Sequence, residues 1–251
     1  MGHVIFIGAG PGAADLITVR GAQRLSSADV VLFDALTDPA LRVYAPKARW
    51  IDVGKRGFEH ATSQADIDAL LVQLAHEHAV VVRLKGGDPS LFGRLEEELQ
   101  ALRASGIPCE VVPGVTAALA AAATSQRPLT RRGSGRSVSF STAMTREGEL
   151  HTGHRADTEV FYMAGRQLAK LGRRLLQAGW HADTPVCVVS RAGWPDELCS
   201  SHGLAQLAEA ALQHAGRPTV VTVGAGATVA AAPHKAPQLD QTQALVQTRS
   251  T

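Results

Sequence analysis

Aromatic residues are scarce: Phe, Trp and Tyr together make up 4% of the chain. So few rings offer little for bases to stack on, which argues against a single-strand nucleic-acid binder. An excess of one charge is also missing. Lys and Arg total 25 against 23 Asp and Glu, a formal net charge of +2. That balance excludes a polybasic nucleic-acid binder and an acidic tail protein. Cysteine is limited to Cys109, Cys187 and Cys199. An odd number at wide spacing makes neither a disulfide framework nor a CxxC metal pair. The expectation is a reduced, cytoplasmic protein with small buried thiols and no metal. No run approaches about 18 consecutive apolar residues, so no membrane span is expected. The start, MGHVIFIGAG, lacks the basic segment and long apolar stretch of a signal peptide.

What is present is alternation. Hydrophobic residues are 45% of 251, enough for a core without disulfide or metal. The length fits one large domain or two small ones. Apolar runs at 4–7, 30–33, 50–53, 80–84 and 109–112 alternate with helical patterns at 15–25, 39–44, 63–78 and 96–105. Within 63–78, Ile67, Leu70, Leu71 and Leu74 recur at the helical period. Such alternation predicts a parallel sheet covered on both faces. An alanine-rich helix is predicted at 116–123. A second series follows, with strands at 138–140, 160–162, 186–189 and 219–223, helices at 167–178 and 204–215, and a loop at 145–158. The fold class is therefore α/β, in two halves: an N-terminal domain over 1–115 and a C-terminal domain over 116–226. Residues 227–251 read as a mobile tail.

Glycine loops follow several strands. Gly8-Ala9-Gly10-Pro11-Gly12 stands where a dinucleotide fingerprint would, with Asp34 at a suitable distance for a ribose contact. Pro11 removes an amide from that loop, and the last glycine of the fingerprint is absent. A plain strand-to-helix turn and a nicotinamide-dependent oxidoreductase both stay open for it. Arg83-Leu84-Lys85-Gly86-Gly87-Asp88-Pro89 and Pro113-Gly114-Val115-Thr116-Ala117 sit at two further strand ends. In an open α/β sheet, ligands bind in the crevice at those ends. Asp88 as a helix cap is the structural alternative. Arg127, Arg131, Arg132 and Arg136 cluster without an acid among them. They suit a ligand with several carboxylates, or form a solvated basic loop.

VGKR at 53–56, RLKGGDP at 83–89, LFGR at 91–94 with Glu97 beyond it, VVPGVTAA at 111–118 and PLTRR at 128–132 stand in an order and spacing that resemble the tetrapyrrole methylases. The resemblance covers roughly residues 3–225. It implies two α/β domains, a parallel N-terminal sheet and a mixed C-terminal one. S-adenosylmethionine lies in the cleft between them, and the enzyme is a homodimer. The implied reaction is methylation of the small-molecule tetrapyrrole uroporphyrinogen III at C2 and C7, giving precorrin-2 for sirohaem or cobalamin. By the same resemblance, cofactor contacts fall on Pro11, Gly86, Gly87, Asp88, Leu91, Thr116, Ala117, Met163 and Ala192. Met163 also reads as a core methionine. Asp34 is implied as proton acceptor and Lys55 as donor, with Arg94 and Glu97 near the substrate. Taken alone, Asp34 reads as a helix cap, Lys55 as a surface charge, and Arg94 with Glu97 as an ion pair. A guanidinium stays protonated, so orienting a carboxylate or a water is the role left for Arg94. Arg132, then Arg131, are implied on the substrate side. The chain departs from the family's usual residues at Ala35, Leu95, Met144 and Ala192. A later precorrin methyltransferase and a tetrapyrrole-binding module without activity are the alternatives.

Overall fold

The computed structural model describes residues 2–54, 63–143 and 156–229. The first half contains β1 (His3–Gly8), α1 (Val19–Leu25), β2 (Val30–Phe33), β3 (Arg49–Asp52), α2 (Gln64–Glu77), β4 (Val80–Lys85), α3 (Leu95–Ala104) and β5 (Cys109–Val112). Its sheet has the order β3-β2-β4-β1-β5. All neighbours run parallel. Burial on both faces explains why β1 is apolar without alternation from Val4 to Ile7. Val4 and Phe6 pack on Leu71 and Leu74 of α2, while Ile5 and Ile7 point to the opposite face, toward Leu25 of α1. Each such side chain, fully buried, contributes about 1.5–3 kcal/mol.

The second half contains α4 (Ala117–Thr124), β6 (Val138–Thr142), β7 (Thr158–Tyr162), α5 (Leu168–Gln177), β8 (Pro185–Ser190), β9 (Leu198–Gly203), α6 (Ala210–Gln213) and β10 (Thr219–Gly224). These strands form a sheet of order β6-β7-β10-β8-β9. Only β6 and β7 are parallel, so this sheet is mixed. The small faces of Ala118 and Ala121 on α4 pack against Val189 and Val220, as an alanine-rich helix allows. On the other face, Leu168, Leu171 and Leu175 of α5 bury at helical spacing.

Several expectations need correction. The helix expected at 15–25 breaks into a 3-10 turn, Ala14–Leu16, and α1. Thr18 starts α1 by accepting the Gly21 amide at 3.1 Å, as an N-cap does. The short helix expected at 39–44 is present over those bounds as a 3-10 helix, Pro39–Tyr44, with Asp38 accepting the Ala40 amide. The region 204–215 splits into a 3-10 turn, Leu204–Glu209, and α6. β9 was not expected at all. Its sequence, LCSSHG, carries no apolar run, and it lies at the sheet edge where one flank needs no partner. Only Cys187 of the three thiols is buried; Cys109 and Cys199 are exposed. The expected loop lies mostly at 144–155, outside the described residues, and β7 already begins at Thr158. The expected tail beyond 229 also lies outside them. Among the described residues no helix is long and apolar enough to cross a membrane.

Candidate active site

The chain leaves β1 toward β2 on one side of the parallel sheet and leaves β4 toward β5 on the other. Between β1 and β4, the connections therefore part and open a crevice at the carboxyl ends. Gly10 and Gly87 bridge its floor, the Gly87 amide donating to the Gly10 carbonyl at 2.7 Å and the Gly10 amide returning at 3.3 Å. The Ala9 amide goes to the Lys85 carbonyl at 2.8 Å. With these amides spent and Pro11 lacking one, the first loop is not a pyrophosphate cradle. That removes the basis of the nicotinamide reading. Glycine is required where a third loop crosses: a Cβ on Gly114 would stand 2.3 Å from the Gly87 carbonyl oxygen. Asp88 fastens that crossing, accepting the Gly114 amide at 2.9 Å and the Ser90 amide at 2.8 Å.

Above the bridge lies a cavity of about 380 Å³, walled by strand ends of both sheets. Pro11, Gly86, Gly87, Asp88 and Leu91 line it from the first half, and Met163 and Ala192 from the second. Thr116 and Ala117, at the start of α4, complete the wall. Backbone strain concentrates here. Among the described residues five non-glycines have positive φ: Phe92, Arg94, Gln126, Met163 and Arg191. All but Gln126 line this cavity. Such conformations cost of order 1–3 kcal/mol each and gather at ligand sites. Met163 is 43% exposed, so it is not a core methionine.

Asp34 follows β2 and works as an organiser. One carboxylate oxygen accepts the Leu36 amide (3.1 Å) and the Thr37 hydroxyl (3.3 Å), and the other accepts the Gly86 amide (3.1 Å). A carboxylate has roughly four acceptor positions, and these partners take three. Behind it lies a group that sequence reading missed. Arg83 and Lys85 point to one side of β4, and both reach Glu98 of α3, at 3.0 and 2.5 Å. Glu98 is fully buried and the two cations nearly so. Two cations on one carboxylate leave a net positive charge at the cavity wall. Burial, the neighbouring Arg83 assisting, lowers the Lys85 ammonium from its usual range, against the upward pull of Glu98 and Asp34. The only sequence signal was Arg and Lys two apart in an apolar strand.

Arg94 also lines the cavity and grips Glu97 with two bonds, 2.8 and 2.5 Å, in an exposed pair. Glu97 itself stands behind it. Tyr162, also unforeseen, ties β7 to α4 through a 2.8 Å bond with Thr116 and packs on Phe92. Burial pushes its phenol above the usual range. Trp194 fits against Gly12, where a Cβ would come within 2.6 Å of the indole. The arginine cluster divides. Arg127 is buried and bonds Ser201 at 2.6 Å. Arg131 donates to the carbonyls of Ala225 and Thr228, which makes it a structural clasp. Arg132 and Arg136 are exposed, outside the cavity wall. Lys55 lies outside the described residues, as does Met144.

The family model of tetrapyrrole (corrin/porphyrin) methylases matches residues 3–208. The chain belongs to this family. Among curated relatives, the uroporphyrinogen-III C-methyltransferase of Synechocystis sp. is 41% identical over 234 residues, covering 90% of this chain and 89% of that protein. The siroheme synthase of Neisseria meningitidis serogroup B is 43% identical, covering 89% of this chain but 47% of its own length. That of Psychrobacter cryohalolentis is 40% identical and covered over 42% of its length. The chain thus spans less than half of the siroheme synthases it matches. A Thermus thermophilus uroporphyrin-III C-methyltransferase, solved with S-adenyl homocysteine, superposes with a TM-score of 0.78 at 35% identity. It covers 89% of this chain and 97% of that one. A cobalt precorrin-4 methyltransferase gives a TM-score of 0.80 at 29% identity, covering 90% and 96%.

Proposed function

We propose that this methylase transfers methyl groups from S-adenosylmethionine to C2 and C7 of uroporphyrinogen III, giving precorrin-2. The observation that carries the reading is a convergence: nine positions matched to the family's cofactor contacts, scattered from Pro11 to Ala192, line one cavity. The residues fit the group. The cavity falls in the size range of small-molecule sites. Gly87, at φ +71, has no atom closer than 3.8 Å to where a Cβ would stand, so the backbone there is open to a close ligand. When bound, S-adenosylmethionine supplies an electrophilic methyl group on a sulfonium.

For in-line displacement, positioning dominates. The turns at Gly86–Asp88 and Thr116–Ala117 hold the cofactor, and Met163 and Ala192 close it from the second half. Methylation of a pyrrole carbon leaves a proton to be lost. Asp34 takes it with its remaining acceptor position. Lys55, beyond the described residues, is the donor by resemblance alone. Arg94, held by Glu97, orients a substrate carboxylate, and Arg132 reaches another. The reading includes two α/β domains meeting near residue 115 and a cytoplasmic homodimer. A groove of about 640 Å³ lined by Leu119 and Phe140, 52% and 41% exposed, is the surface suited to a second copy. Sedimentation as a monomer would remove that part.

The test is anaerobic incubation with uroporphyrinogen III and S-adenosylmethionine, followed by mass measurement of the product. A gain of two methyl groups supports the reading. Binding of S-adenosylhomocysteine without methylation of this acceptor would move the assignment to a precorrin substrate.

A further inference from the structure

Cys187 and Cys199 lie on the adjacent antiparallel strands β8 and β9. The register pairs Cys187 with Ser201 and Val189 with Cys199. Offset by two residues, the cysteines share one face of the sheet, and their sulfurs stand 3.7 Å apart. They differ in access: Cys199 is exposed and Cys187 buried. Beside the pair lies Arg127, 8% exposed, its charge acting on the Cys187 thiol. One of its nitrogens donates to Ser201 at 2.6 Å, while Nε and Nη1 are buried without a hydrogen-bond partner. A buried, incompletely paired cation favours negative charge beside it. The methylase reaction uses neither thiol, and packing alone does not call for two sulfurs in contact under a guanidinium.

We infer that Cys187 and Cys199 form a redox-active pair that closes to a disulfide in the presence of a peroxide. The Cys199 sulfur attacks a peroxide oxygen. The O–O bond breaks, giving a sulfenic acid on Cys199 and one water. The Cys187 sulfur then attacks the Cys199 sulfur, the S–O bond breaks, and the Cys187 proton leaves with the hydroxide as a second water. Two thiols lose two electrons, and hydrogen peroxide gains them. The order follows from access: Cys199 is exposed and Cys187 buried. Burial first, and then the neighbouring Cys199, push the Cys187 thiol up to about 11, with Arg127 drawing it the other way. Cys187 is therefore inert toward outside oxidants and reacts only with a partner delivered at contact distance. Arg127 supports the sulfur as it gives up its proton. The sulfurs, 3.7 Å apart at rest, must close to a bond of about 2.0 Å, so the pair is open until an oxidant acts on it.

The experiment treats the full chain with hydrogen peroxide and measures free thiols, intact mass and tryptic peptides. The thiol count is expected to fall from three to one, with a mass loss of about 2 Da as two thiol hydrogens are removed. Trypsin cuts after Arg191, between the two cysteines. The two peptides are therefore expected as a linked species that dithiothreitol separates, and equally in a Cys109→Ser variant. Three outcomes overturn the inference. They are Cys199 oxidised to sulfinic acid while Cys187 stays free, a disulfide through Cys109, and three unchanged thiols.

Discussion

The carboxylate of Asp34 accepts the backbone amide of Gly86 at 3.1 Å, joining the end of β2 to the turn after β4. The proposed base is thus also a fastening for the proposed cofactor loop. Two substitutions separate these roles. Asp34→Asn keeps one oxygen to accept the Gly86 amide, gives up the other and removes the base, so turnover is expected to fall by about 100-fold or more. Its affinity for S-adenosylhomocysteine should stay within roughly threefold. Asp34→Ala loses the fastening too, and the affinity should weaken by about tenfold, the worth of one good hydrogen bond. Steady-state kinetics and calorimetry check both. Normal turnover in Asp34→Asn would exclude Asp34 as the base.

Glu98 holds two buried cations. Removing it leaves them facing each other without the carboxylate that bonds both. Glu98→Ala is expected to lower unfolding free energy by about 3–5 kcal/mol, read from urea denaturation. The triple variant Glu98→Leu with Arg83→Met and Lys85→Met should recover most of that loss. Failure to recover would mean that shape, rather than charge, sets the cost.

Arg131 and Arg132 are adjacent, yet Arg131 is tied to backbone carbonyls while Arg132 is exposed. Arg132→Ala should raise KM for the tetrapyrrole roughly tenfold, as loss of a charged contact would, with little change in denaturation midpoint. Arg131→Ala should do the reverse, because its guanidinium holds the Ala225–Thr228 carbonyls. Equal KM effects in the two variants would contradict this division.

His214 is completely buried, with one ring nitrogen 2.5 Å from the Ser190 hydroxyl and the other 2.8 Å from that of Ser200. Burial first, then His202 and Arg217, lower its imidazole below the usual 6.5. The unfolded chain therefore binds this proton more readily than the folded one. Stability should be intact above about pH 6.5 and decline as pH falls toward the lowered folded value. Denaturation midpoints across that range check it, and His214→Asn should flatten the decline. An unchanged slope in the variant would assign the acid sensitivity to other groups.

Where a choice depended on neighbours along the chain, the sequence was informative. The unbroken apolar run Val4–Ile7 of β1 announced a strand buried on both faces, and the structure has it. The glycines after β1 and β4 announced turns with close backbone approach, and they bridge each other. β9 gave no such signal, since an edge strand of Ser, Cys and His draws its stability from the neighbouring strand β8, which the local pattern does not show. The site was legible in the same uneven way. The motif loops marked its backbone wall. Tyr162, Trp194 and Glu98 carried no local mark.

Sequence by itself determined the alternation of strands and helices, the loops at strand ends and, through their spacing, the family. Tertiary structure decided which charges turn inward. Glu96, Glu97 and Glu98 are the same residue type in one helical turn, yet only Glu98 is buried, because only it meets the cations of β4. Arg127 and Arg131 are committed within the protein, while Arg132 and Arg136 remain exposed. A charged side chain is buried where partners on other elements repay its desolvation. Those partners are assembled only when the chain has folded.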